Sequence, residues 1–242
     1  MDFPISAGTF SQFITSARVP QCMKLLRLAI GLVLLLTIAL TILSYPQLPD
    51  TIVSHWNAAG EADGYLPKFW GLVIVPLVMV GCTVLFAVLP RIDPLRKNYD
   101  QFRNYYEGFI LLFALYLFII QLQIIVWSLG IRVSPNLTLP PLFGILFIYI
   151  GFFMEHVEPN WFVGIRTPWT LSSESVWRKT HQRGGLLFKL AGVISVIGVL
   201  TGRYAWLFIL IPAIAVAVYT VVYSYFEFKR EQNQDTGETI SR

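Results

Sequence analysis

Charged residues are scarce in this chain. Asp, Glu, Lys and Arg make up 13% of its 242 residues, whereas soluble domains carry about 25%. The hydrophobic fraction is correspondingly high at 55%, and the mean hydropathy is +0.63. This composition excludes an ordinary soluble protein and indicates a single helical domain embedded in a membrane.

Cysteine is almost absent, which excludes a disulfide framework. Cys22 and Cys82 are the two cysteines, and neither stands in a paired or metal-ligating spacing. The net charge is +4, but the basic residues cluster at the ends of apolar runs. This pattern is typical of contact with anionic lipid headgroups rather than direct binding of nucleic acid.

Long apolar runs dominate the rest of the sequence. A membrane-spanning helix needs about 20 mostly apolar residues. Lys189 is the one charged residue inside the runs, and we expect it near a helix end, where it reaches the interface. The sequence therefore predicts an all-α, polytopic membrane bundle of six transmembrane helices, over Leu28–Tyr45, Phe69–Leu89, Gly108–Ile131, Leu137–Met154, Leu186–Gly202 and Tyr204–Phe226.

Lysine and arginine are distributed unequally between the two faces of this bundle. Outside the runs, 14 of them fall on the face that holds both termini and 3 on the other. The positive-inside rule then predicts cytoplasmic N and C termini. We divide the chain into an arm at 1–27, a first helical hairpin at 28–89 with an outward loop at 46–68, helices three and four at 90–154, a region at 155–226 containing a cytoplasmic loop and helices five and six, and a tail at 227–242.

The arm carries apolar residues at helical spacing, at Phe10, Phe13, Ile14 and Ala17. This spacing is typical of a short helix lying on the inner leaflet. A disordered arm is the alternative.

The outward loop, residues 46–68, is rich in proline and glycine, which predicts ordered turns. We expect Gly64 to adopt a positive φ. His55 and Asn57 are expected to hold the turn by hydrogen bonds, with Trp56 and Tyr65 at the membrane interface. The loop has a net charge of about −2, which favours a cationic peptide or a metal ion on the outer face.

A metal site in this loop would use His55, Glu61 and Asp63. Their spacing matches no standard zinc or calcium pattern. We therefore predict no metal ligands.

The cytoplasmic loop, residues 159–185, mixes three tryptophans with four basic residues. We expect a basic interfacial helix from about Ser172 to Arg183, capped by side chains in 170–173 and ended by Gly184-Gly185. One interpretation is an aromatic anchor at headgroup level, formed by Trp161, Trp169 and Trp177. The other is a docking surface on which Arg166 grips a carboxylate or phosphate of a partner.

The residues of both loops resemble those of a known family. Asn160-Trp-Phe-Val-Gly164-Ile-Arg166-Thr-Pro-Trp169-Thr170, followed by Trp177-Arg-Lys-Thr-His181 and Gly184, looks like the signature of the SdpI family. The outward Leu-Pro-x4-Ser-His55-Trp-Asn57-x2-Gly60-x2-Asp63-Gly64, followed by Lys68, resembles the domain of unknown function that this family carries at its N-terminal end.

The resemblance implies a prokaryotic plasma-membrane protein that gives immunity to a secreted peptide toxin. It also implies signalling, in which the protein holds a small DNA-binding repressor at the membrane. Partner contact is then expected on the cytoplasmic side at Asn160, Gly164, Arg166, Thr167, Pro168, Trp169, Thr170, Trp177, His181 and Gly184. Toxin sensing is expected at the outward motif, formed by His55, Trp56, Asn57, Gly60, Asp63, Gly64 and Lys68.

Two other functions remain as alternatives. A transporter of small solutes or peptides would use polar groups in mid-membrane, and Gln121 and Gln123 are the notable amides there, although interhelical hydrogen bonds also explain them. A membrane-embedded metal-dependent enzyme would draw on Glu155-His156-Val-Glu158 together with His181, but these lack the His-Glu-x-x-His spacing. We predict no catalytic residue and no cofactor.

Overall fold

The computed structural model describes the backbone of residues 8–240 and the side chains of residues 21–234. Over these residues the chain is built from seven α-helices and one two-stranded antiparallel hairpin. Their bounds are α1 Gly8–Ser44, β1 Thr51–Trp56, β2 Ala62–Pro67, α2 Lys68–Ile92, α3 Tyr99–Ser128, α4 Pro135–His156, α5 Pro168–Ser172, α6 Glu174–Ile197 and α7 Ala205–Ile240.

Six of these helices are long and apolar, which confirms the predicted fold class. By length and hydropathy, five stretches of the described residues qualify as membrane spans, the last being Glu174–Gln234 with 61 residues. A single helix of that length would measure about 90 Å, three times the hydrocarbon thickness. Because a 3-10 segment with Gly202 at φ 58° separates α6 from α7, this stretch contains two crossings.

Because each long helix crosses once, successive connections alternate between two faces of the bundle. The hairpin face carries the β-hairpin and the connections α3–α4 and α6–α7. The other face, called the basic face here, carries the connections at 93–98 and 157–173. α1 continues from Gly8 into the first span without a break, and the side chains of the predicted arm up to residue 20 lie outside the described residues.

The outward loop, for which ordered turns were predicted, also contains the two strands β1 and β2. Two side chains of β1, Ile52 and Val53, are each 1% exposed. They pack with Leu72 of α2 and Ile124 and Ile125 of α3. The hairpin is therefore held firmly on the ends of two spans.

α4 and α6 approach each other closely along glycines seven residues apart on each helix. A Cβ on Gly144 would lie 2.8 Å from the Gly192 carbonyl oxygen, and one on Gly151 would lie 2.5 Å from that of Gly185. Small residues allow such backbone approach in membranes. The predicted end of the interfacial helix at Gly184-Gly185 is wrong, because α6 continues to Ile197 and uses these glycines for contact with its neighbours.

The expected position of Lys189 near a helix end is wrong, because α6 begins at Glu174 and continues to Ile197. Its Nζ is 2.6 Å from Oε1 of Glu155 in the last turn of α4, and it lies 4.8 Å from the centroid of the Phe152 ring. A second ion pair joins Arg27 of α1 to Glu107 of α3, whose side chain is 12% exposed. Each carboxylate offsets the charge of a basic side chain on another helix.

The two mid-span amides make interhelical hydrogen bonds, as expected from the sequence. Gln121 Nε2 donates to Thr41 Oγ1 at 3.0 Å and to the Leu72 carbonyl at 3.1 Å. Gln123 Nε2 donates to the Val133 carbonyl, and its Oε1 accepts from the Thr138 hydroxyl of α4 at 2.9 Å. These bonds join α3 to α1, to α2, to α4 and to the connection before α4.

Candidate functional site

The connection at 157–167 on the basic face folds around Asn160, which is 1% exposed. Asn160 Oδ1 accepts from the backbone N–H groups of Phe162 and Val163 at 2.9 and 2.6 Å. Its Nδ2 donates to the carbonyls of Glu158 and Val163, both at 2.9 Å. One side chain therefore closes the turn through four hydrogen bonds.

Asp93 ties this turn to the end of α2. One carboxylate oxygen accepts from the Leu95 N–H at 2.7 Å, and the other accepts from the Trp161 N–H at 2.9 Å. The Tyr99 hydroxyl lies 3.3 Å from Asp93 Oδ2 and 3.4 Å from Asn160 Oδ1. Asp93 is 2% exposed, and a buried charge of this kind needs such donors to offset its desolvation.

His181 and Trp177 fix the connection to α6. Each is 2% exposed, and their rings stack at 4.0 Å. The Ile165 N–H donates to His181 Nε2 at 2.9 Å, so the proton lies on Nδ1, which donates to the Trp177 carbonyl at 2.8 Å. Trp177 Nε1 donates to the Val157 carbonyl at 3.0 Å. Both ends of the connection are thus bound to one pair of rings.

Gly164 lies directly over the His181 ring. Its φ is +108°, and a Cβ there would lie 2.5 Å from His181 Nε2. Both the backbone conformation and the space require glycine at this position.

Thr167 and Thr170 form a reciprocal capping box at the start of α5, with Pro168 at its first position. The Thr167 hydroxyl is also 3.0 Å from Ser224 Oγ of α7. The ring of Trp169 meets Tyr225 edge-on at 5.1 Å between centroids. These contacts dock α5 on α7.

The structure brings all ten residues of the predicted cytoplasmic motif into this one region, but most of them face inward. The buried members of the motif do not fit direct contact with a partner, because they offer no surface. They are Asn160, Thr167, Thr170, Trp177, His181 and Gly184. Gly164 and Trp169 are half-buried, whereas Arg166 and Pro168 are exposed.

A groove of about 140 Å³ lies at the motif, and its lining combines apolar side chains with hydroxyl groups and the carboxylate of Glu174. We call it the Trp161 groove, after the residue that is 52% exposed at its edge. Leu171 and Leu95 line it and are 44% and 41% exposed. Arg166 donates through Nη1 to the Trp161 carbonyl, which places an exposed guanidinium next to the groove.

On the hairpin face, the side chain of Asn57 closes a turn by accepting from backbone N–H groups, as Asn160 does on the basic face. Its Oδ1 accepts from the N–H groups of Ala59 and Glu61 at 2.9 and 3.0 Å. His55 Nδ1 lies 2.6 Å from Asp63 Oδ1 across the two strands. The expectation that His55 and Asn57 hold the turn is confirmed.

The turn is also bound to the bundle. Asn136 Nδ2 donates to the Ala58 carbonyl at 3.1 Å, and the Trp56 ring meets Trp127 of α3 edge-on at 5.6 Å. The positive φ predicted for Gly64 is wrong, because it occurs at Gly60, with φ +81°. Gly64 is needed for a different reason, since a Cβ there would lie 2.8 Å from His55 Cβ.

Lys68, the last residue of the outward motif, closes the base of the hairpin. Its N–H donates to the Asp50 carbonyl at 2.8 Å, and its Nζ lies 5.2 Å from the centroid of the Tyr45 ring. This side chain supports the hairpin and leaves little of itself exposed.

Three of the four groups considered for metal-dependent chemistry, Glu155, His156 and His181, make other contacts. His156 stacks on Tyr105 at 3.9 Å, and its Nε2 is 2.9 Å from the Tyr105 hydroxyl. Glu155 pairs with Lys189, and both nitrogens of His181 are bound as described above. Among the described residues, no group of three or more His, Cys, Asp or Glu side chains is placed to hold a metal ion.

Sequence reasoning missed Asp93 and Tyr99. The available signal was an isolated aspartate before a proline at the end of an apolar run, surrounded by basic residues. Its partners lie up to 68 residues away, so the sequence does not show that it is buried.

The fold, the hairpin and the hydrogen-bonded connection at 157–167 together define a class of protein. This is a multi-pass membrane protein with a small β-hairpin domain on one face and a hydrogen-bonded polar connection on the other. Residues 156–224, which hold that connection, match the SdpI/YfhL protein family. Residues 32–80, which hold the hairpin, match the domain of unknown function DUF1648. Both matches agree with the family resemblance that the two sequence motifs predict.

A relative supports both matches. The immunity protein SdpI of Bacillus subtilis (strain 168) is 28% identical over 200 residues, which cover 82% of this chain and 94% of that protein. The similarity therefore extends over most of the bundle. No solved structure matches this chain.

Proposed function

We propose that this protein gives its cell immunity to a secreted peptide toxin. The support is the similarity to an immunity protein over most of both chains, together with an exposed hairpin docked on the helix ends. The proposal includes the predicted orientation, with both termini cytoplasmic and the hairpin outside the plasma membrane.

The exposed charges of the hairpin favour contact with a cationic peptide. Asp50, Glu61 and Asp63 are exposed, whereas the Lys68 side chain is 16% exposed. The acidic groups therefore face solvent and the basic one is covered. Opposite charge on a toxin would increase its rate of encounter with this surface.

We further propose that toxin engagement is read out on the basic face, where a cytoplasmic DNA-binding repressor is held at the membrane. The observation that carries this part is the course of α3. α3 begins at Tyr99, beside Asn160, and ends at Ser128. Trp127 in its last turn packs against Trp56 of the hairpin. A ligand shifts such an element only if it binds one of two states more tightly.

The proposed surface for the repressor is then the Trp161 groove and the adjacent Arg166, because here exposed apolar side chains lie beside an exposed guanidinium. The buried residues of the motif keep this surface in shape. The exposed Trp161 and Leu171 and the guanidinium of Arg166 at the edge of the groove fit an apolar segment whose carboxylate lies toward Arg166 and away from Glu174, which also lines the groove.

The first test measures survival of a toxin-sensitive bacterium that expresses this protein, challenged with any peptide encoded beside its gene. The wild-type protein should raise the inhibitory concentration several-fold. Asp50→Lys combined with Glu61→Lys should remove the gain, and Glu158→Lys, a charge reversal of an exposed residue on the basic face, should keep it. No gain with the wild-type protein would refute the immunity function.

The second test follows the repressor. Trp161→Ala and Leu171→Ala should reduce the amount of tagged repressor that sediments with membranes after toxin exposure, while survival stays at the wild-type level. Leu129→Ala is the control, since Leu129 is 46% exposed on the hairpin face. Equal loss of survival and retention would show that the groove has only a structural role.

A further inference from the structure

A cleft of about 490 Å³ opens on the basic face between α1, α2 and α3. It is larger than the Trp161 groove and separate from it. α1 packs mainly on α3, as α2 does, so the space between α1 and α2 stays open near their ends. The proposed immunity function does not use this cleft.

The mouth of the cleft is basic. Arg27, Arg91 and Arg103 line it, one from each helix. Glu107 is the acidic residue among the lining side chains, and it is already paired with Arg27 through Nε at 2.8 Å. The side chains of Arg27 and Arg103 are 57% and 36% exposed. Arg103 is also paired with Asp100 at 2.8 Å, so three guanidinium groups face two carboxylates, and the mouth has a net charge of about +1 near the ends of the spanning helices.

The depth of the cleft is apolar. Ile30, Leu34, Phe86 and Ile110 line its inner part, and Gly31 leaves additional room. A Cβ added to Gly31 would meet no atom within 4 Å. An apolar channel that leads away from three guanidinium groups fits a molecule with an anionic head and a hydrocarbon chain.

We propose that this cleft is a binding site for an anionic phospholipid, whose phosphate contacts the three arginines and one of whose acyl chains occupies the apolar depth. Arginine favours phosphate because its planar fork forms two parallel hydrogen bonds. Basic pockets between transmembrane helices bind anionic headgroups for the same reason. A free phosphate would satisfy the mouth but would leave the apolar depth unused.

The experiment is native mass spectrometry of the full-length protein in detergent, titrated with phosphatidylglycerol or phosphatidylcholine of the same chain length. The wild-type protein should retain phosphatidylglycerol at least tenfold more tightly. Arg91→Gln combined with Arg103→Gln should weaken it by about tenfold to thirtyfold, as expected for two basic groups near a headgroup. Arg178→Gln combined with Arg183→Gln, which removes the same charge elsewhere on this face, should leave it unchanged.

The apolar depth is tested by filling it. Gly31→Phe should abolish retention of phosphatidylglycerol, whereas Gly81→Phe, whose site on α2 is equally open, should not. Ala87→Leu narrows the same cleft from α2 and serves as a second variant if Gly31→Phe does not give monodisperse protein.

Three outcomes would overturn the proposal. They are equal retention of the two lipids, retention by both cleft-filling variants, and displacement of the lipid by millimolar inorganic phosphate, which would indicate a site for a free anion. Survival against toxin is measured in parallel with the same variants, so failure of this site is distinguishable from failure of the immunity function.

Discussion

Replacing Asn160 by alanine removes the group that closes the connection at 157–167. Its carboxamide makes four local hydrogen bonds, two accepted and two donated. Each contributes about 0.5–1.5 kcal/mol net, so the local opening free energy should fall by about 2–6 kcal/mol. Since about 1.4 kcal/mol is a factor of ten, even the lower value makes opening about 30-fold more frequent.

Hydrogen exchange measures this directly, because the amides of Phe162 and Val163 donate to Asn160 Oδ1. Their exchange is governed by local opening. In lipid nanodiscs, Asn160→Ala should accelerate exchange in peptides covering 159–167 by at least about 30-fold on this estimate. Peptides from the middle of α3 should be unaffected.

Asn57→Ala is the matched control. Asn57 also accepts from two backbone N–H groups, but it lies on the hairpin face. Its replacement should accelerate exchange at Ala59 and Glu61 and leave 159–167 unchanged. Exchange at Phe162 and Val163 within about threefold of the wild-type rate in folded Asn160→Ala would contradict the estimate.

Three further predictions concern single contacts. Gly164→Ala should lower the thermal midpoint in detergent more than Gly130→Ala, because both glycines have positive φ but only the former meets a side chain, that of His181; equal shifts would mean that backbone strain alone decides. Gly151→Leu should abolish recovery of monodisperse protein, whereas Gly81→Leu, in open space, should not; recovery of both would contradict the close packing of α4 on α6. Lys189→Met should destabilise more than Lys189→Met combined with Glu155→Gln, since the single change leaves an unpaired carboxylate near the membrane; the reverse order in a thermal melt would contradict the ion pair.

The long helices were predictable because lipid imposes their character directly. A run of about 20 apolar residues has few other structures available in a membrane. The hairpin was not predictable in the same way. Its strands are six residues each, interrupted by polar residues and bounded by Pro and Gly, so the sequence indicates turns as readily as strands.

Gly184 and Gly185 show why the predicted helix end was wrong. Glycine ends helices because it adopts positive φ easily, and it also occurs where helices approach closely. The sequence does not distinguish these uses. Here the neighbours decide, since a Cβ on Gly184 would lie 2.5 Å from Ile165 and one on Gly185 would lie 2.7 Å from the Gly151 carbonyl oxygen.

The site also extends beyond the regions that match known families. Those matches end at residue 80 and resume at 156, yet Asp93 and Tyr99 lie between them and bind the 157–167 connection from the side. α3 begins in this unmatched part and reaches the hairpin, where the ring of Trp127 meets that of Trp56. The proposed response on the basic face to a toxin on the hairpin would then pass through residues outside both matched regions. The strength of the proposed signalling should depend on the contacts of α3 as much as on the residues of the motifs.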